Sequence, residues 1–476
     1  MRKKKILSMA LRSFSVLVLT VVTAVQMSSF AAGAVTFTPT YYDDNGQLQE
    51  LQLYSPCAYM VNLDTGEVIL DINSREQRAI ASLTKVMTAI VLLEYVGDDE
   101  EMLKSTYVYG DNQAFDELFG TDASTADIQP YESVSYYDLL AALLIQSACE
   151  AANIIAVNVA GSLDDFIDLM NRKAGELDMI NTHFSNAHGL FTQQNYSTAE
   201  DVAKMCRYAI DKFPVFSEIV SYASYAMEPT DYHDPGTMLI NTNYMVNGNS
   251  YYYYSQCRGI KTGTTDAAGR CLATYAVYDQ IPYLTVTLGA PMDKLAEDYV
   301  KGEQDPYSLY ADSIVYYNML DHIHLYNWAF NMLKQTDFIN SSSEVRDVKV
   351  AFGKKVDYAN LKPAGGYSQM WPLNVDIGEV QRVITVKENI VAPIEKGDVL
   401  GQMELRYNGE TITTIDLVST SSVERSPVKE KLAIAKSYFS STLFKVTLGL
   451  IIAGLTAYCI VHFILAQRKY LRKHNR

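Results

Sequence analysis

The chain has 476 residues, 48% of them apolar, with 39 basic against 55 acidic side chains and a formal charge of −16. Ten of the basic residues lie in the first 34 and last nine positions, which hold no acid, so the stretch between them carries −26. So acidic a body excludes nucleic acid as a partner, and its roughly 400 residues allow two or three domains.

In chain order, Arg2 and Lys3-Lys4-Lys5 lead into an apolar stretch from about Phe14 to Val25 and small residues ending Ala32-Gly33-Ala34. This is the pattern of a secretory signal peptide, residues 1–34, with cleavage expected after Ala34 or Ala31. Residues 35–335 mix helical and strand patterns. "ASLTKVMTAIVLLEYV" begins at Ala81; apolar residues at 83, 86, 87, 90 and 93 recur at helical spacing, with Ser82 near the helix start. Asp116, Glu117, Asp122 and Asp127 then crowd a region read as a solvated acidic face. "LLIQSACEAAN", residues 143–153, reads as a buried, alanine-lined helix carrying Ser147 and Cys149. The tyrosine run 251–254 is expected to pack as an alternating strand. "RGIKTGTTDAAGRCLATYAVYDQIPYLTVTLGA" from Arg258 reads as three strands, the first carrying Lys261-Thr262-Gly263-Thr264.

From about Val348 the texture changes to short alternating runs with turns at Lys396-Gly397-Asp398 and Asn408-Gly409, a small all-β domain over 345–420. Residues 421–445 form a polar, proline-containing stalk. Val446 to Ala466 is apolar and long enough to cross a bilayer, and basic residues fill 467–476. The positive-inside rule puts that tail in the cytoplasm and everything before it outside. The expected protein is therefore a single-pass membrane protein with an extracytoplasmic body.

Ser82 and Lys85, three apart, share one helix face. A serine hydroxyl is a poor nucleophile unless a base takes its proton, and an unprotonated lysine is such a base. Burial and a second cation hold the amine neutral. A serine three before a lysine arises by chance about once or twice in a chain of this length. Ser426 and Lys429, in the stalk, are such a decoy, because Pro427 and polar surroundings mark a linker. The second cation is Lys261. A lysine and threonine on an edge strand can hold a carboxylate, and the glycine after them lets a ligand approach the backbone; a plain surface hairpin is the alternative. Five of the six cysteines lie before the apolar C-terminal run, and none has metal-ligand spacing. No metal or cofactor is expected.

Ser82-x-x-Lys85, Ser147-x-Cys149 and Lys261-Thr262-Gly263, in this order, resemble the three signatures of penicillin-interacting serine enzymes. With "NRKAGELDMINTHFSNAHGLFTQQNYSTAEDVAKMCRYAI" and "GIKTGTTDAAGR", residues 55 to 335 are similar to the D-alanyl-D-alanine carboxypeptidases, the low-molecular-mass penicillin-binding proteins. The resemblance implies an α/β fold, a serine β-lactamase/transpeptidase-like catalytic domain followed by the β domain and a transmembrane helix. It implies that Ser82 attacks the bond between the last two D-alanines of a peptidoglycan stem peptide, that Lys85 takes its proton, and that Ser147 relays a proton to the leaving amine. Lys261 supplies positive potential and Thr262 binds the terminal carboxylate. Next to Gly263, the N–H of Thr264 joins that of Ser82 in an oxyanion hole. β-Lactams are expected as covalent inhibitors, and cell-wall remodelling as the role.

Cys149 departs from the pattern, since the second signature is normally Ser-x-Asn. A thiol is a weaker hydrogen-bonding group than an amide, a handicap of about 1–3 kcal/mol. Its state is open between a neutral, core-like thiol and a thiolate held between Lys85 and Lys261. Asn153, a turn further on, is no obvious substitute. His188 is read as a structural histidine; the separation of Cys257 and Cys271 permits a disulfide, and whether they meet is left to geometry. Two rival functions stand beside the carboxypeptidase: a silent penicillin-binding or sensor protein weakened at Cys149, and a β-lactamase, for which a Glu-x-x-Leu-Asn segment is missing.

Overall fold

The computed structural model describes residues 36–43, 45–292 and 315–474, with side chains through residue 471; the expected signal segment 1–34 lies outside them. The chain divides into two compact units at Gln335/Thr336, with Met370–Asp376 returning to the first.

The first unit is built on a five-stranded antiparallel sheet in the order Val68–Ile72, Cys57–Asn62, Ile281–Ala290, Gly269–Tyr278, Cys257–Thr265. Its strands read as apolar runs because both faces are covered. Cys57, Tyr59 and Val61 point into one core, while Ala58 and Met60 point into the other, the period-two alternation of a strand. The first core holds helices Thr84–Val96, Cys149–Ala160 and Ala199–Lys212; the second holds helix Tyr317–Met332. Helix Thr84–Val96 is buried at every position from Thr84 to Leu93. It is thus a central helix, buried all round, with Thr84, Lys85 and Thr88 the polar side chains it takes inside.

Two local expectations need correction, and one open question is answered. The helix carrying Ser147 and Cys149 is broken: Tyr136–Ala141 runs on through a wide turn, Ala142–Gln146, to Ser147 at φ 66°, and a new helix starts at Cys149. Tyrosines 251–254 form a turn and not a strand; Tyr252 is buried against Tyr316, and Tyr251 and Tyr253 are exposed. Cys257 and Cys271 face opposite sides of the sheet and are both free thiols.

The second unit has a five-stranded antiparallel sheet in the order Arg346–Lys349, Tyr358–Pro363, Glu410–Ser419, Val399–Tyr407, Gln381–Val386. Its tightest hairpin turns at Asn408 (φ 50°) and Gly409 (φ 88°), the paired positive φ that matches strand twist. Residues 423 and 425, expected in the stalk, bridge back to Ile394 and Gly353. Ser426 then caps helix Pro427–Ser440 by accepting from Lys429 N, so this serine-lysine pair is a helix start with proline in the first turn. Helix Thr442–His474 follows, and its Thr442–Leu471 stretch, with an 18-residue window of mean hydropathy 2.2, is long and apolar enough to cross a membrane.

Candidate active site

Ser82 lies in a short 3-10 turn, Ala81–Leu83, that precedes the central helix, with Ala81 at φ 48°. Two glycines make room for this turn. A Cβ on Gly189 would stand 2.2 Å from the Ala81 carbonyl oxygen, and one on Gly263 would stand 2.7 Å from that of Ile80 and 3.0 Å from Ser82 N. Gly263 therefore lets the Lys261-Thr262-Gly263 strand press against the backbone of Ser82, a closer constraint than the ligand approach expected from sequence. That strand is the edge of the sheet among the described residues, the position from which a bound peptide can extend it.

Lys85, one turn on from Ser82, is fully buried, with Nζ 2.9 Å from Ser82 Oγ, 3.4 Å from Cys149 Sγ and 2.5 Å from the His188 carbonyl oxygen. Burial holds its amine below the ordinary lysine range; Cys149 and Glu150 push the other way. Lys261, also buried, is held well below that range by burial first and then by the charge of Lys85. Its Nζ bonds the Thr262 carbonyl at 3.1 Å. Thr262 Oγ1 is 2.6 Å from Thr242 Oγ1, and Thr242 N donates to the Ile145 carbonyl, which ties the edge strand to the turn before Ser147. Ser147 is itself 4% exposed on its left-handed turn, and Thr264 is exposed beside Arg270 on the neighbouring strand.

Direct contacts thus join Ser82, Lys85 and Cys149, and electrostatic proximity adds Lys261. Ser147 adjoins this group through the chain. Thr262 and Thr264 lie on the edge strand beyond Lys261. Among the described residues no cluster of three or more His, Cys, Asp or Glu is placed to hold a metal.

Sequence reasoning missed the support around the amine. The His188 carbonyl, Thr242 and Gly189 act through backbone or through neighbours distant in the chain, which no local pattern reveals. Asp116, Glu117, Asp122 and Asp127 are all exposed, as a solvated acidic face requires, but Glu117 also takes bonds from His188 Nε2 at 2.9 Å and Asn153 Nδ2 at 2.8 Å. Asp127 is likewise engaged, with His233 and Gln129. Glu150, beside Cys149, is buried and accepts from Thr125 Oγ1 and Ala126 N, and burial raises its carboxyl above the usual range.

A serine hydroxyl beside a buried lysine amine, next to the edge strand of this sheet, is an arrangement capable of serine acyl transfer. Residues 45–292 match the D-alanyl-D-alanine carboxypeptidase family model and residues 334–425 that of the penicillin-binding protein 5 C-terminal domain, so the chain belongs to the D-alanyl-D-alanine carboxypeptidase family. It is 28% identical to the D-alanyl-D-alanine carboxypeptidase DacF of Bacillus subtilis (strain 168), across 87% of this chain and 95% of that one. Its identity to DacC of Escherichia coli (strain K12) is 26%, across 84% and 92%. The fold matches the crystal structure of the D-alanyl-D-alanine carboxypeptidase DacD from Francisella tularensis with a TM-score of 0.60 and 21% identity, over 81% of this chain and 99% of that one.

Proposed function

We propose that the protein is an active serine D-alanyl-D-alanine carboxypeptidase of the cell envelope, held by its C-terminal helix with the body on the extracytoplasmic side. The observation that carries this reading is the 2.9 Å approach of a buried, pKa-depressed Lys85 amine to Ser82 Oγ. Ser82 Oγ attacks the carbonyl between the last two D-alanines of a stem peptide, and its proton passes to Lys85 Nζ. The N–H groups of Ser82 and Thr264 stabilise the oxyanion. Thr262 holds the substrate carboxylate, whose negative charge favours the protonated form of Lys261 beside it. A proton returns through Ser147 to the leaving amine, D-alanine departs, and water frees the acyl group as a shortened peptide. A β-lactam opens on Ser82 by the same attack.

Family membership and the intact Ser82–Lys85 contact favour turnover over a silent sensor. The test is D-alanine release from a diacetyl-Lys-D-Ala-D-Ala peptide by the detergent-solubilised full chain, beside Ser82→Ala. Release that vanishes in the variant supports the reading; a folded wild type that binds penicillin but releases nothing supports the sensor.

A further inference from the structure

An amine that is to take the Ser82 proton must aim its lone pair at Oγ, so its two N–H bonds must end on other acceptors. Two are within reach: the His188 carbonyl at 2.5 Å and Cys149 Sγ at 3.4 Å. Sulfur is the weaker acceptor, so in this chain the aim of Lys85 depends mainly on where the His188 carbonyl is held.

That carbonyl is held from several sides. His188 Nδ1 accepts from Leu190 N at 3.1 Å, which puts the ring proton on Nε2, and Nε2 donates to Glu117 at 2.9 Å. The ring is 3% exposed and kept neutral, burial being the larger cause. Glu117 is fixed in turn by Asn153 Nδ2, which also donates to the Ala114 carbonyl at 3.0 Å. Thr88 Oγ1 donates to the Ala187 carbonyl at 2.6 Å, and Asn186 brackets the loop by accepting from Gly189 N and donating to the Leu190 carbonyl. Thr88, Asn186 and Gly189 hold the loop backbone; among the described residues only Glu117 grips the His188 ring from a separate segment.

We propose that Glu117 is a positioning residue for the acylation step: through the His188 ring it fixes the carbonyl that turns the Lys85 lone pair toward Ser82, a task sharpened by Cys149. The inference rests on Ser82 and Lys85 being nucleophile and base. Glu117 touches neither of them, and Asn153, which clamps it, gains a purpose on the same helix as Cys149.

The test measures acylation of the full chain in detergent by a fluorescent penicillin. Glu117→Ala is expected to slow acylation about 10- to 100-fold, the cost of a misaimed base, while Glu117→Gln, whose amide oxygen still accepts from Nε2, stays within about threefold. A second arm repeats Glu117→Ala in a Cys149→Asn background, where a strong second acceptor should shrink the loss to less than about threefold. Equal losses in both backgrounds, or equal losses in the Ala and Gln variants, overturn the proposal. The third arm is a crystal structure of Glu117→Ala, in which the His188 carbonyl should have left Lys85; a carbonyl still bonded to Nζ also overturns it. A wild type that never acylates defeats the proposed function, and the crystal arm then decides the positioning claim alone.

Discussion

Replacing Gly263 with alanine tests how tightly the edge strand is fitted to the nucleophile. The position has no left-handed φ, so alanine brings no backbone strain, and space alone is at issue. The new Cβ would stand 2.7 Å from the Ile80 carbonyl oxygen, about 0.7 Å short of ordinary contact, with Ser82 N at 3.0 Å and Ala81 Cβ at 3.2 Å. The two nearest obstacles are backbone, so the strand and the Ser82 turn must part. Overpacking of this kind costs about 1–3 kcal/mol of stability. A parting of even half an ångström between Ser82 N, the proposed oxyanion donor, and the strand proposed to hold the substrate should slow acylation about 10- to 100-fold. Gly175→Ala, on a helix with nothing within 4 Å, is the control and should be neutral or slightly stabilising. The assay pairs thermal melting with the rate of acylation by a fluorescent penicillin. Gly263→Ala that acylates within about twofold of wild type would refute the reasoning, because the contact would then be slack.

Other outcomes follow from the same geometry. Cys149→Asn replaces a 3.4 Å sulfur contact with an amide oxygen able to reach Lys85 Nζ, and acylation should rise about 5- to 10-fold; Cys149→Ala, with no acceptor, should fall below wild type in the same assay. The rate should fall as pH drops through the depressed pKa of Lys85, which lies below the ordinary lysine value, and Lys85→Arg, which cannot deprotonate, should be silent at every pH in a stopped-flow profile. His233 lies between Glu132 Oε1 at 2.9 Å and Asp127 Oδ2 at 3.3 Å, with Thr230 Oγ1 also on Glu132, and these bonds raise its pKa, that to Glu132 most. A raised folded-state pKa stabilises the fold fully below about pH 6.5 and loses that stabilisation as pH rises through the folded value. His233→Gln should therefore destabilise more at pH 5.5 than at pH 9 in denaturant melts.

How much of this was legible in the sequence varies by element. The three sheet strands from Cys257 to Ala290 were readable because turn residues break an apolar run, and the Asn408-Gly409 hairpin because its positive φ angles need those residues. The apolar C-terminal helix was readable from length and composition alone. Ser82 and Lys85 could be paired because three residues on a helix is a fixed distance.

The sequence by itself, through ordered motifs, singled out the residues proposed to carry the chemistry and determined which segments repeat at strand or helix period. Only the tertiary structure decided what surrounds them. Ser426 and Lys429 have the same spacing as Ser82 and Lys85, yet one serine caps a surface helix and the other meets a buried amine. The break at Ser147, the clasp of Glu117 on His188 and the passage of Gly263 against Ser82 all join segments far apart in the chain. Local propensity sees a few neighbouring residues. Burial, which lowers the Lys85 pKa, and close approach, which demands glycine, are properties of packed surfaces that exist only once the chain has folded.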